Sequence, residues 1–334
     1  MSFSELGLSD KLVRAVAELG YAEPTPIQRQ AIPAILRGGD LLAGAQTGTG
    51  KTAGFTLPLL HRLSAAQPNK VQTPQGMRFP IRALVLTPTR ELALQVTTAT
   101  AQYGRHLRRI VCASILGGMP YPKQLDMLAR MPDIIIATPG RLLDHVGQRT
   151  IDLSHIELLV LDEADRMLDM GFFDDIATVV RQCPADRQTL LFSATYPEGI
   201  AKLSQRILRN PKEVKLEERH DDSKIRQRFY EVTDSQRLHA VGQLLRHYRP
   251  VSTLAFCNTK QQCRDLLDVL RAQGIHALAL HGELEQRERD QVLIQFANRS
   301  CSVLVATDVA ARGLDIAQLE AVINVDVTPD PEVH

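Results

Sequence analysis

The sequence predicts two tandem α/β domains, each a parallel β-sheet flanked by crossover helices. Three observations carry this reading. Short apolar runs alternate with amphipathic stretches along nearly all of the 334 residues, the pattern of strands joined through helices. The alternation is interrupted by Glu217-Glu-Arg-His-Asp-Asp-Ser-Lys-Ile-Arg-Gln227, whose charge density and lack of apolar periodicity suit a solvated linker. A glycine-rich run, Ala45-Gln-Thr-Gly-Thr-Gly-Lys-Thr52, directly follows the apolar stretch Asp40-Leu-Leu-Ala-Gly44, as a strand–loop–helix corner would. The length suits two separate cores. The expected division is 1–216 for the first domain, 217–227 for the linker and 228–334 for the second domain.

In the first domain, apolar runs place strands at Ala83–Thr87, Val111–Leu116, Ile134–Thr138, Ile156–Leu161 and Thr189–Ser193. The segment Gln67–Gly76 carries Pro, Asn and Gly and reads as a surface loop inserted before the strand at Ala83. Beyond the linker the expected strands are Thr253–Phe256, Ala277–Leu280, Ser302–Ala306 and Ala321–Val325. The run Arg105-His-Leu-Arg-Arg109 reads as a solvated helix end.

Composition narrows the class. With 39 basic and 38 acidic residues the formal net charge is +1, so any argument for a polyanionic partner must rest on local placement. Five cysteines without C-x-x-C spacing indicate neither a zinc site nor a disulfide framework, and Cys257 reads as a small core residue. No run approaches the roughly 18 apolar residues that span a bilayer, and Met1-Ser-Phe-Ser-Glu5 is no secretion signal. The expectation is a cytoplasmic protein without membrane contact.

The chemistry concentrates in two places. In the glycine-rich run, backbone N–H groups and a helix N-terminus converge on phosphate. Lys51 can reach the β- and γ-phosphates, and the Thr52 hydroxyl can ligate Mg²⁺. Ala45 stands where the first glycine of this pattern is usual, which is tolerable if φ stays negative there; Gly48 and Gly50 supply the freer positions. The second place is Asp162-Glu-Ala-Asp165, delivered by the strand ending at Leu161. Asp162 would hold the Mg²⁺ and Glu163 would activate the attacking water. An acidic solvated turn is the plainer explanation, but four consecutive apolar residues lead straight into these carboxylates.

Together these runs, with others in the expected order, resemble the DEAD-box RNA helicases over nearly the full length. The first domain is most similar to bacterial RhlE-type members and the second to DbpA-type members. The resemblance implies two RecA-like domains of the phosphate-loop NTPase fold, the second truncated at its C-terminal end, with ATP and Mg²⁺ as cofactors. Gly20-Tyr-Ala-Glu-Pro-Thr-Pro-Ile-Gln28 looks like the family's adenine-reading element. Gln28 would match the base edge and Phe3 would stack on it, although without its Pro-Thr-Pro setting Gln28 would read first as a helix-capping residue. Ala45, Gln46, Thr47, Gly48, Thr49, Gly50, Lys51 and Thr52 would line the nucleotide. Pro88-Thr89-Arg90, Gly117-Gly118 and Thr138-Pro139-Gly140-Arg141 resemble the segments that grip an RNA backbone. Ser193-Ala-Thr195 is similar to the element coupling nucleotide state to RNA grip through hydrogen bonds to Asp165.

In the second half, Leu254-Ala-Phe-Cys-Asn-Thr-Lys260 looks like motif IV, Gln286-Arg-Glu-Arg289 has its Q-x-x-R spacing, and Ala306–Ile316 matches motif V. By resemblance Gln286, Arg289, Thr307 and Asp308 would contact RNA or support that contact. Gly313 and Asp315 would face the nucleotide, and Arg312 would join Lys51, Asp162, Glu163, Ser193 and Thr195 in catalysis. The 334 residues end before motif VI (His-Arg-Ile-Gly-Arg-Thr-Gly-Arg), whose arginines can contribute roughly 10³–10⁵ in turnover. Weak RNA-stimulated turnover is therefore expected of this stretch alone.

The resemblance implies an ATP-dependent RNA helicase working as a monomer on RNA, in ribosome-assembly or RNA-decay complexes. One rival is a non-catalytic ATP-dependent RNA clamp, distinguished by turnover with and without RNA. A DNA-directed helicase or simple ATPase is the other, distinguished by which nucleic acid stimulates hydrolysis.

Overall fold

The computed structural model describes residues 2–44, 48–65, 68–73, 76–108, 110–215, 226–307 and 319–326, apart from the side chains of Thr73, Gln286, Arg287 and Asp290. The chain forms two compact units, Met1–Arg219 and His220–His334.

In the first unit, α1 (Asp10–Glu18) and α2 (Pro26–Leu36) precede β1 (Leu41–Gly44) and α3 (Lys51–Ala65). A hairpin of β2 (Val71–Thr73) and β3 (Gly76–Arg78) leads to β4 (Ala83–Leu86) and α4 (Arg90–Tyr103). Then follow β5 (Cys112–Ile115), α5 (Tyr121–Ala129), β6 (Ile134–Ala137), α6 (Pro139–Gly147) and β7 (Leu158–Leu161). The unit finishes with α7 (Ala164–Asp169), α8 (Phe173–Gln182), β8 (Gln188–Ser193), α9 (Glu198–Ile207) and β9 (Lys212–Lys215).

Seven strands form one sheet in the order β5-β6-β4-β7-β8-β1-β9, and every pairing in it is parallel. Both faces are covered, which is why its central strands read as continuous apolar runs rather than alternating ones. The period-2 geometry of a strand divides each run between two cores. Val85, Ile134, Ile136 and Val160 face a core shared with α2, α3 and α4. Leu84, Leu86, Ile135, Leu159 and Leu161 face a core shared with α6, α8 and α9.

Two features depart from the sequence reading. Part of the expected loop Gln67–Gly76 is ordered as β2, which pairs antiparallel with β3. The strand β9 carries almost no sequence signal, because Lys212-Glu-Val-Lys215 offers only Val214 to the core. Charged residues are what an edge strand tolerates. Asp40 anchors it: its carboxylate accepts from Thr189 N at 2.8 Å and Arg209 N at 2.6 Å, and its carbonyl accepts from Lys212 N.

The second unit contains α10 (Arg237–Tyr248), β10 (Thr253–Cys257), α11 (Lys260–Ala272), β11 (Ala277–Leu280), α12 (Gln286–Ala297), β12 (Val303–Thr307) and β13 (Ala321–Asn324). Its strands form a parallel sheet in the order β11-β12-β10-β13. Alternation again feeds two cores: Ala255, Val303 and Val305 meet α10 and α11, while Leu254, Leu304 and Ala306 meet Phe296 of α12. Thr259 caps α11 by accepting from Gln262 N at 3.1 Å, and a capping box of Glu285 and Glu288 starts α12. The linker expected at 217–227 lies outside the described residues except at its last two positions. No helix among the described residues is long and apolar enough to cross a membrane.

Candidate active site and backbone-binding edge

In a parallel sheet the C-terminal strand ends face one edge, and ligands bind there. The ends of β1, β7 and β8 deliver three of the groups singled out from sequence. β1 ends at Gly44, and α3 begins at Lys51. Gly48 and Gly50 take φ of +82° and +91°, values that favour glycine and that these two positions were expected to need. A side chain at Gly50 would also run into Gln28 and Thr25. Ala45, Gln46 and Thr47 lie outside the described residues.

Lys51 is 6% exposed and Asp162 only 2%. Lys51 Nζ and Asp162 Oδ1 are both buried without a hydrogen-bond partner. Such groups are costly to bury uncompensated. Burial pushes the Asp162 carboxyl up to about 6, against the pull of the neighbouring Lys51 charge. An ammonium and a carboxylate near enough for their charges to interact, following a glycine-rich run, suit a phosphate and its divalent metal. Thr52, next to Lys51 in the first turn of α3 and partly exposed, adds a hydroxyl, so the donor set fits Mg²⁺.

Glu163 is buried at 3% exposure and sits at φ +53°, ψ +52°. That left-handed conformation costs a non-glycine residue roughly 1–2 kcal/mol, and such strain gathers at functional sites. Arg166 Nη1 holds its carboxylate at 2.9 Å. Asp165 makes the link expected of it: its Oδ2 accepts from Ala194 N at 3.1 Å, Thr195 N at 2.9 Å and Thr195 Oγ1 at 3.0 Å. Ser193 Oγ donates to the Thr195 carbonyl at 2.6 Å, closing a tight turn at the end of β8. The carboxylate segment after β7 and the Ser193–Thr195 segment after β8 are thus one hydrogen-bonded unit.

Gln28 takes the helix-capping role that the sequence also allowed, and Phe3 is buried. Gln28 is 5% exposed and its amide is already engaged, with Oε1 accepting from Thr25 N at 3.0 Å and Nε2 donating to the Gly50 carbonyl at 3.0 Å. It therefore does serve as a helix cap, on the third residue of α2. Phe3 is 4% exposed and packed into the core with Leu6 and Leu12, so its ring presents no open face to a base.

The three segments expected to grip a nucleic-acid backbone leave the neighbouring strands β4, β5 and β6 at the same edge. Pro88 is buried, and Thr89 Oγ1 caps α4 by accepting from Leu92 N at 3.3 Å, which sets Arg90 at the first helical position. Gly117 N donates to Thr138 Oγ1 at 3.4 Å. Arg141 Nη1 donates to the Met119 carbonyl at 2.9 Å, tying the Gly117–Gly118 turn to α6, which Pro139 and Gly140 open. Arg141 is only 20% exposed and also lies 3.5 Å from Asp144 Oδ2. Part of its donor capacity is thus used within the chain.

In the second unit, Arg289 lies in the first turn of α12 and is partly buried, and Thr307 ends β12. Lys260, after β10, reaches Glu283, after β11, at 3.2 Å. The side chain of Gln286, and Asp308, Arg312, Gly313 and Asp315 entirely, lie outside the described residues.

The DEAD/DEAH box helicase family matches residues 25–203, and the Helicase conserved C-terminal domain matches residues 236–334. The chain is 49% identical to ATP-dependent RNA helicase DbpA of Escherichia coli over 317 residues, 95% of this chain and 67% of that protein. It is 41% identical to ATP-dependent RNA helicase CshA of Listeria monocytogenes, covering 99% of this chain and 62% of that one. The chain therefore spans about two thirds of the length of such relatives. Among solved structures it is similar to S. cerevisiae Dbp5 bound to RNA and ADP BeF3, at a TM-score of 0.84 and 30% identity, covering 99% of this chain and 82% of that one. A DEAD box protein from Methanococcus jannaschii matches at a TM-score of 0.59 and 36% identity, covering 100% of this chain and 87% of that one. The chain belongs to the DEAD/DEAH box helicase family.

Proposed function

We propose that the protein is an ATP-dependent RNA helicase, hydrolysing ATP in response to RNA and locally separating short RNA duplexes. The observation that carries this is the pair of orphaned buried groups, Lys51 Nζ and Asp162 Oδ1, beside a glycine-rich loop. Lys51 neutralises the β- and γ-phosphates, and Thr52 with Asp162 holds Mg²⁺, which when bound offsets charge on the phosphates. Glu163, fixed by Arg166, orients and deprotonates the attacking water. Asp165 then transmits the state of this centre to Ser193–Thr195.

RNA lies along the edge formed by Pro88–Arg90, Gly117–Gly118 and Thr138–Arg141. The contacts go to sugar and phosphate, so binding is tolerant of sequence and sensitive to salt. Arg289, Thr307 and Gln286 supply the second domain's share of contacts to sugar and phosphate. The relatives named DbpA and CshA and the RNA-bound Dbp5 structure support this reading. A coupled ATPase assay with RNA and with single-stranded DNA tests it. Stimulation by RNA and not by DNA, weak in this stretch of sequence, is expected, and equal stimulation by DNA would reject it. ATP-dependent retention of RNA without turnover would favour a clamp instead.

A further inference from the structure

Gly44 is the last residue of β1, and its backbone does not explain why it is glycine. Its φ is not among the positive values, so a side chain would meet no conformational penalty there. The reason is steric. A Cβ at position 44 would lie 2.7 Å from Tyr196 Cε2 and 2.8 Å from the Tyr196 hydroxyl oxygen, well inside van der Waals contact. The phenol ring occupies the space that a side chain at position 44 would need.

Tyr196 is 38% exposed, and its inner face is placed by its neighbours. It directly follows Thr195, whose N–H and hydroxyl are fixed by Asp165 Oδ2. Sheet register places Gly44 beside Ser193 on one side and Lys215 on the other. Lys215 Nζ lies 5.4 Å from the centroid of the Tyr196 ring, within the range of a cation–π contact, and is paired with Glu213 at 3.0 Å. The ring thus spans the sheet edge where β1 hands over to the phosphate loop.

Resting on the nucleotide-binding reading above, we infer that Tyr196 is a positioning residue for the phosphate loop. It transmits the Asp165–Thr195 linkage to Gly44 by packing rather than by hydrogen bonding. Motion of the Ser193–Thr195 turn then moves the ring, and the ring sets where β1 releases the loop toward the phosphates.

The test is titration of the chain with a fluorescent ATP analogue and Mg²⁺, with thermal unfolding run on each variant. Gly44→Ala should weaken nucleotide binding about ten-fold, and Gly44→Ala/Tyr196→Ala should recover most of that loss, the non-additivity expected of touching residues. Tyr196→Ala alone should weaken binding about three-fold with little change in melting temperature, whereas Tyr196→Phe, which keeps the ring, should bind as the parent does. A double variant as weak as Gly44→Ala would overturn the inference. If Gly44→Ala fails to fold, Tyr196→Ala binding as tightly as the parent would overturn it as well. Failure of the parent chain to bind nucleotide would instead reject the nucleotide-binding reading.

Discussion

Gln28 Nε2 donates to the main-chain carbonyl of Gly50 at 3.0 Å while its Oε1 accepts from Thr25 N at 3.0 Å. One amide therefore caps α2 and ties that helix to the glycine-rich loop. Oε1 keeps a second lone pair and Nε2 a second N–H, so the same amide can take a base while it holds the loop, and base recognition and loop position are coupled. Adenine offers a donor and an acceptor that match the amide, whereas guanine reverses both. Gln28→Ala is expected to weaken ATP binding about ten-fold and to narrow the preference for ATP over GTP. Competition titrations with both nucleotides check this, and an unchanged preference would contradict it.

Asp165 accepts from Ala194 N, Thr195 N and Thr195 Oγ1. Asp165→Ala removes the shared acceptor of a partly buried turn, at a cost of about 1–3 kcal/mol. Asp165→Asn keeps one acceptor oxygen and should cost less. Urea unfolding of the two variants measures the difference, and equal stabilities would show that the turn does not depend on this carboxylate.

Arg141→Ala should weaken binding to every RNA sequence similarly, and should lower the slope of log affinity against log salt by about 1. Polarisation titrations with several single-stranded RNAs at several salt concentrations test this. Loss confined to one sequence would mean that Arg141 reads a base.

His145 on α6 is fully buried, stacked on Tyr121 at 4.3 Å and 8°, with Nδ1 2.8 Å from Thr150 Oγ1. Burial first, and then Arg141, pull its imidazole down to about 4, against Asp144. The folded state thus takes up this proton less readily than the unfolded state. Its contribution is complete above the ordinary value of 6.5 and is lost as pH falls toward 4, by at most about 3 kcal/mol. The stability advantage of the parent over His145→Phe should shrink between pH 7.5 and 4.5. A gap independent of pH would contradict the assignment.

The sheet was legible in sequence where both of its faces are buried, because runs such as Ile134-Ile-Ile-Ala137 and Leu158-Leu-Val-Leu161 can be little else. Lys212–Lys215 was not, since an edge strand with one buried valine has almost no apolar signal. Lys51, Asp162 and Glu163 were legible from spacing alone, because strand ends fix where such groups emerge. The engagement of Gln28 with Gly50 and the burial of Phe3 were not, since both depend on how α2 and the N-terminal turn pack. The Tyr196 contact on Gly44 was hidden for the same reason: the two residues are far apart in sequence and meet only through sheet register.

On the proposed function, Lys51 binds the nucleotide and Glu163 acts only on the water. The most direct measurement compares Mg²⁺·ATP affinity and RNA-stimulated single-turnover hydrolysis in the parent, Lys51→Ala and Glu163→Gln. Lys51→Ala should lose binding by at least about 100-fold. Glu163→Gln should bind within about three-fold of the parent and lose hydrolysis by about 10²–10⁴-fold. Hydrolysis by Glu163→Gln at the parent rate, or undiminished binding by Lys51→Ala, would contradict the account.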